Sequence, residues 1–167
     1  MAWQIQRAAI STTPTQSGSL TYTGSAQSPS WSNYDSSKLT IGGTTSGTNA
    51  GSYNATFTPT SNYQWSDGGT GAKTVAWKIG KAAGSLSLNK TSITLNKSTS
   101  ATTITVTRAG DGAITATSSS TSVATVSVSG NTVTVTGKAY GSATITVKVA
   151  EGTNHTAPAN KTCTVQV

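Results

Sequence analysis

The sequence predicts an all-β chain made of two tandem β-sandwiches, and three observations carry that expectation. Ser and Thr account for 59 of 167 residues and Gly for another 17, while Leu, Glu, Lys and Met are too scarce to build helical bundles. Apolar residues recur with a period of two between Gly, Pro and Asn, the pattern of half-buried antiparallel strands. The pattern falls into two blocks, each long enough for a small domain. A Ser/Thr/Gly excess also suits disorder, but such chains lack the regularly spaced Val, Ile and Trp seen here.

In the first block the expected strands are residues 3–7, 19–22, 30–31, 38–41, 52–58 and 73–79. The turn Thr23-Gly24, Pro29, the pair Gly42-Gly43 and Pro59 punctuate them. In the last strand Val75, Trp77 and Ile79 share one face, and Thr74, Ala76 and Lys78 the other. The second block gives 85–88, 92–95, 102–107, 113–117, 123–128, 131–136, 142–149 and 162–167, with a hairpin turning at Gly130-Asn131. Short strands with turns every 8 to 12 residues or so are the signature of a Greek-key sandwich. Gly80-Lys81-Ala82-Ala83-Gly84 separates the blocks, giving domains 1–82 and 83–167 joined by a short linker.

Chemistry is sparse. Four acids (Asp35, Asp67, Asp111, Glu151), His155 and Cys163 leave few general acids, bases or metal ligands, so the chain is expected to be non-enzymatic, without cofactor or metal. Asp67-Gly68-Gly69 and Asp111-Gly112 read as turns, because calcium takes about six to eight oxygens and each loop offers one carboxylate. Glu151 and His155 share a loop, but no nucleophile elbow accompanies them. Alternation points Cys163 inward with Val165 and Val167, as a small buried hydrophobe.

The net charge of +7 permits an anionic partner, yet no two of the eleven Lys and Arg residues are adjacent. Without a basic stripe interleaved with aromatic rings, nucleic acid is not an expected partner. No apolar run is long enough to cross a membrane as a helix. Trp3, Tyr22, Tyr53, Phe57 and Trp77 alternate with other apolar residues and are expected in the core. Trp31, Tyr34, Tyr63 and Trp65 lie in or beside loops, where rings can stack on sugars or dock a protein. Of these, Trp31 and Tyr34 are the candidate ligand contacts.

The second block resembles a group 2 bacterial immunoglobulin-like domain of the intimin and invasin type. The resemblance lies in S-L-S-L-N-K-T-S-I-T-L-N (85–96), in S-V-A-T-V (122–126) followed by V-T-G-K-A-Y-G-S-A-T-I-T-V (135–147), and in the closing strand. One departure is Ala116, which stands where that family often has a core Trp. The first block is similar to an exported bacterial β-repeat through L-T-Y-T-G-S-A-Q-S-P (20–29), G-T-N-A-G-S-Y-N-A-T-F (47–57), N-Y-Q-W (62–65) and V-A-W-K-I-G-K-A (75–82). That family pattern implies that Tyr63 and Trp65 cover the end of the sandwich.

Together the resemblances imply two tandem immunoglobulin-like Greek-key β-sandwiches that serve interaction or spacing at an exposed surface. Modules of this kind occur in adhesins, cell-wall proteins and tailed-phage capsids and tails. Met1 and an N-terminus without a secretion signal favour the phage case, since lysis releases virions without export. The expectation is a capsid decoration present in multiple copies per particle and contacting capsid or tail proteins, with Trp3 and Ile5 as the attachment candidates. The alternative is an adhesion module of a bacterial cell-surface protein that binds host glycan or protein, including mucosal glycans.

Overall fold

The computed structural model describes residues 5–167, which contain strands and turns and no helix. The chain divides into two units, Met1–Lys81 and Ala82–Val167. Each is an all-β unit with its own hydrophobic core.

The first unit contains β1 (Ala8–Ile10), β2 (Thr15–Ser17), β3 (Leu20–Thr21), β4 (Ser30–Ser32), β5 (Leu39–Gly43), β6 (Gly51–Pro59), β7 (Tyr63–Trp65) and β8 (Lys73–Gly80). Its main sheet runs β3-β8-β6-β5, with the short ladders β2-β4 and β1-β7 beside it. The β6–β8 register pairs Tyr53 with Trp77 and Ala55 with Val75, and β5–β6 pairs Ile41 with Phe57. Period-two alternation therefore lines one face of this sheet with Leu39, Ala55, Phe57, Trp77 and Ile79, all buried. Ile10, Trp31, Tyr34 and the buried Trp65 pack onto that face from the shorter elements.

The G-T-N-A-G-S-Y stretch has a packing reason. Tyr53 stacks on Trp77 at a centroid distance of 4.6 Å and donates its hydroxyl to the Asn49 carbonyl at 2.6 Å. A Cβ on Gly47 would sit 2.5 Å from the Tyr53 ring, so only glycine lets the loop pass over it.

Three features of this unit depart from the sequence expectation. The strand expected at 3–7 begins instead at Ala8; residues 5–7 are irregular, and Trp3 lies outside the described residues. Thr15–Ser17 and Tyr63–Trp65 are strands that alternation did not announce. Ladders of three residues are too short to show a period, and β1 and β7 pair in parallel across the length of the unit.

The second unit contains β9 (Ser85–Leu88), β10 (Ser92–Thr94), β11 (Ala101–Ala109), β12 (Ile114–Ser118), β13 (Ala124–Ser129), β14 (Thr132–Gly137), β15 (Ser142–Val149) and β16 (Lys161–Gln166). One sheet runs β9-β11-β14-β13 and the other β10-β16-β15-β12. That is the A-B-E-D and G-F-C arrangement of an immunoglobulin sandwich, with β10 added in parallel to the last strand. The core between the sheets is almost wholly aliphatic, from Ile104, Val133, Val135, Ile145 and Val147, with Cys163 among them. Ala116 is half-buried against it.

The outward faces explain the composition. Thr103, Thr134 and Ser127 lie side by side across one sheet, and Thr162, Thr146 and Thr117 across the other. Threonine suits such positions because it is β-branched and polar at once. The expected hairpin turns at Gly130-Asn131 between paired Ser129 and Thr132, and Gly130 takes φ of 55°, a value glycine adopts without strain.

Ala82 belongs with the second unit. Its N–H donates to the Asn154 carbonyl and its own carbonyl accepts from Thr156 N–H, both at 2.9 Å. The boundary thus falls one residue before the one expected from the sequence, which ends the first domain at Ala82.

Candidate ligand site

The only non-glycine residue at positive φ among the described residues is Asn33, at 61°. Asparagine tolerates this left-handed conformation better than most residues, and here it turns the chain out of β4 into the loop 33–38. The loop is held by Asp35. Its carboxylate accepts from the Ser37 hydroxyl at 2.6 Å and the Ser37 N–H at 2.9 Å, and it pairs with Lys38 Nζ at 3.1 Å. These contacts, the Ser37 hydroxyl first, pull the Asp35 carboxyl down from 3.8 to about 2.

Facing this loop is β1. It bonds to β7 through Ala8 N–H, which donates to the Asn62 carbonyl at 2.9 Å, and through the Ile10 carbonyl, which accepts from Ser66 N–H at 3.0 Å. In a parallel ladder the residue between two such partners directs its amide and carbonyl to the opposite edge, so Ala9 offers both away from β7. Between that edge and the loop lies a cleft of 490 Å³, with Tyr34 and Tyr63 among its lining residues. Clefts of this size, with a few convergent polar groups, are where small ligands bind.

The attachment and ligand candidates fall as follows. Ile5 is 97% exposed, at the start of the described residues. Trp31 and Tyr34 are not freely exposed loop rings: both are half-buried against Phe57, Trp31 edge-on at 4.9 Å and Tyr34 tilted at 5.5 Å. Trp31 thereby serves mainly as core, whereas Tyr34 also lines the cleft. Trp65, expected beside a loop, is buried, donates Nε1–H to the Gly71 carbonyl at 2.8 Å and carries Lys73 over its ring at 4.7 Å. Sequence reasoning missed Asn33 and Lys38, and read Tyr63 as a cover for the sandwich end. An Asn directly before a Tyr was the only available signal, and it is a weak one.

In the second unit the exposed aromatic is Tyr140, 77% exposed in the turn between β14 and β15. Asp111 accepts from Asn154 N–H at 3.0 Å and lies 3.3 Å from His155 Nδ1. These contacts, the Asn154 amide first, lower its pKa. The Asp111 pair thus ties the loop 151–155 to the β11–β12 turn. Among the described residues no three His, Cys, Asp or Glu side chains gather as a metal site would require.

Residues 82–160 match the family model "Bacterial Ig-like domain (group 2)". The match spans most of the second unit. Among solved structures, the chain is similar to domains 4 and 5 of the S-layer protein SbsC, at 18% identity over 96% of this chain and 99% of that one, with a TM-score of 0.44. It is also similar to fibronectin(III)-like modules of Clostridium thermocellum CbhA, at 16% identity over 93% and 94%, TM-score 0.35. A third likeness is to the D00-D0 domain of intimin, at 15% identity over 90% and 98%, TM-score 0.33. No curated protein sequence matches the chain. The immunoglobulin-like domain is thus established by the family match together with the strand order of its two sheets.

Proposed function

We propose that the chain is a non-enzymatic accessory module on an exposed surface, holding to a larger assembly by its first unit and presenting its immunoglobulin-like domains for weak adhesion. The observation that carries this reading is the distribution of side chains. Among the described residues both units bury apolar side chains only, and present Ser, Thr and scattered Lys to solvent. Such a surface stays soluble at high local density and offers no convergent reactive groups. Folds of this kind host many functions, so the site rather than the fold has to supply the specificity.

The carrier we favour is a tailed-phage virion, with the chain as a capsid decoration in multiple copies. A net charge of +7 gives a salt-sensitive attraction to an acidic shell. The exposed Ile5, with Trp3 two residues before it in sequence, supplies an apolar anchor that charge alone does not. The second reading, an adhesion module on a bacterial cell surface, is favoured by the match of residues 82–160 to a bacterial domain family. Immunogold labelling of virions and of host cells separates the two. Deletion of residues 1–7 is expected to release the protein from particles while both units stay folded. Full occupancy by the deletion variant would reject attachment through this segment, and gold on cells but not on virions would reject the virion.

A further inference from the structure

We propose that the cleft between β1 and the loop 33–38 is a binding site for a neutral glycan, gripped by Tyr34 and Tyr63 and by the polar groups of Asn33, Asp35, Lys38 and the Ala9 backbone. The proposal deepens the adhesive reading above and rests on it, by naming the ligand class and the residues.

Three observations converge on this cleft. Tyr34 and Tyr63 are both half-buried in the lining, Tyr34 against the Phe57 ring, and neither hydroxyl has a hydrogen-bond partner among the described residues. No buried side-chain oxygen among the described residues lacks a partner, so both hydroxyls reach solvent, where each is free to donate to and accept from a ligand in the cleft. Asn33, in the left-handed conformation that asparagine tolerates, turns the chain at the cleft's rim and is itself among the lining residues. Ala9 adds an amide and a carbonyl turned away from β7.

The charge at the site then selects the ligand. Asp35 and Lys38 neutralise each other at 3.1 Å, so the lining carries no net charge in a protein whose overall charge is +7. An anion has no reason to choose this cleft over any other part of the surface. A polyhydroxylated neutral ring has several: aromatic faces carry negative potential and attract its C–H face, while phenol, amide and carboxylate groups match its alternating hydroxyl donors and acceptors. An extended peptide would also pair with the Ala9 backbone, and the comparison peptide in the test separates that occupant from a sugar.

The test uses the full chain. Amide spectra are recorded during titration with three neutral hexasaccharides, of β-1,4-linked glucose, α-1,4-linked glucose and β-1,4-linked N-acetylglucosamine, and with a neutral hexapeptide as the comparison. At least one hexasaccharide is expected to shift the amides of Ala9, Asn33, Tyr34, Lys38 and Tyr63 while those of the second unit stay in place. Tyr63→Ala should weaken that binding by tenfold or more. Tyr63→Phe, which keeps the ring and loses the hydroxyl, and Asn33→Gly, which keeps the backbone and loses the amide, should each weaken it severalfold with the fold intact. Shifts produced by the peptide alone, no response to any of the three sugars, or unchanged affinity in both conservative variants would overturn the assignment. Attachment to particles is read separately by the deletion of residues 1–7, so failure here and failure of the accessory-module reading give different results.

Discussion

Replacing Trp77 by alanine is the sharpest probe of how the first unit holds together. The side chain is 2% exposed, donates Nε1–H to the Thr44 carbonyl at 2.7 Å and stacks on Tyr53 with an interplanar angle of 23°. Truncating a buried aromatic to alanine costs about 3–5 kcal/mol through lost transfer energy and the cavity left behind. Loss of the hydrogen bond leaves the Thr44 carbonyl without that donor, roughly a further 1 kcal/mol. The aromatic pair adds about 0.5–1.5 kcal/mol. The three contributions share the same atoms and do not add in full, so the expected loss is about 4–5 kcal/mol. A domain of this size has only about 5–15 kcal/mol in total, and its melting temperature should fall by about 15 °C or more. The assay is unusually clean, because Trp3, Trp31, Trp65 and Trp77 are the only tryptophans and all belong to the first unit. Denaturation followed by tryptophan fluorescence therefore reads that unit alone, while far-ultraviolet circular dichroism reads both. A loss below about 1 kcal/mol would refute the argument and place Trp77 outside the energetic core.

Further expectations follow from the same geometry. A fragment of residues 82–167 should unfold cooperatively by itself, since it contains both sheets of its sandwich, and starting it at residue 83 should lower its stability by about 1 kcal/mol through the Ala82 hydrogen bonds; an amide spectrum without dispersion would refute the boundary. Burial raises the Cys163 thiol pKa, so folded protein should resist a thiol reagent until denaturant is added, and stability should decline as pH rises above the ordinary thiol value; prompt labelling of native protein would contradict the buried position. Asp35, lowered from 3.8 to about 2 by the Ser37 hydroxyl and amide and by Lys38, contributes stability that is present above pH 3.8 and is lost as pH falls towards 2. Asp35→Asn should flatten the acid dependence of the first unit over that window, and an unchanged profile would show that the loop contacts do not persist in solution.

Much of the second unit was legible from its residues because each strand is long enough to repeat its pattern. Val133 and Val135, or Ala143, Ile145, Val147 and Val149, show their period within one element, and burial on one side of an antiparallel sheet requires that period. Gly130-Asn131 announced its hairpin for the same local reason: only a residue free to take positive φ closes it. The faces that carry Tyr53, Phe57 and Trp77 in the first unit were legible likewise. The remainder was decided by tertiary structure. β1 and β7 are three-residue strands, and their pairing matches Ala8 with Tyr63 over a separation that no local pattern encodes. Trp31 and Tyr34 sit in segments that read as loops, and only the closure of the sandwich brings both rings onto Phe57. The cleft follows from those contacts, since one wall is a strand edge left free by β7 and the other is a loop turned by Asn33. Periodicity fixes which side of a strand is buried, because the backbone itself alternates; which distant segments meet is fixed by the packing of whole elements, and that is where this site arises.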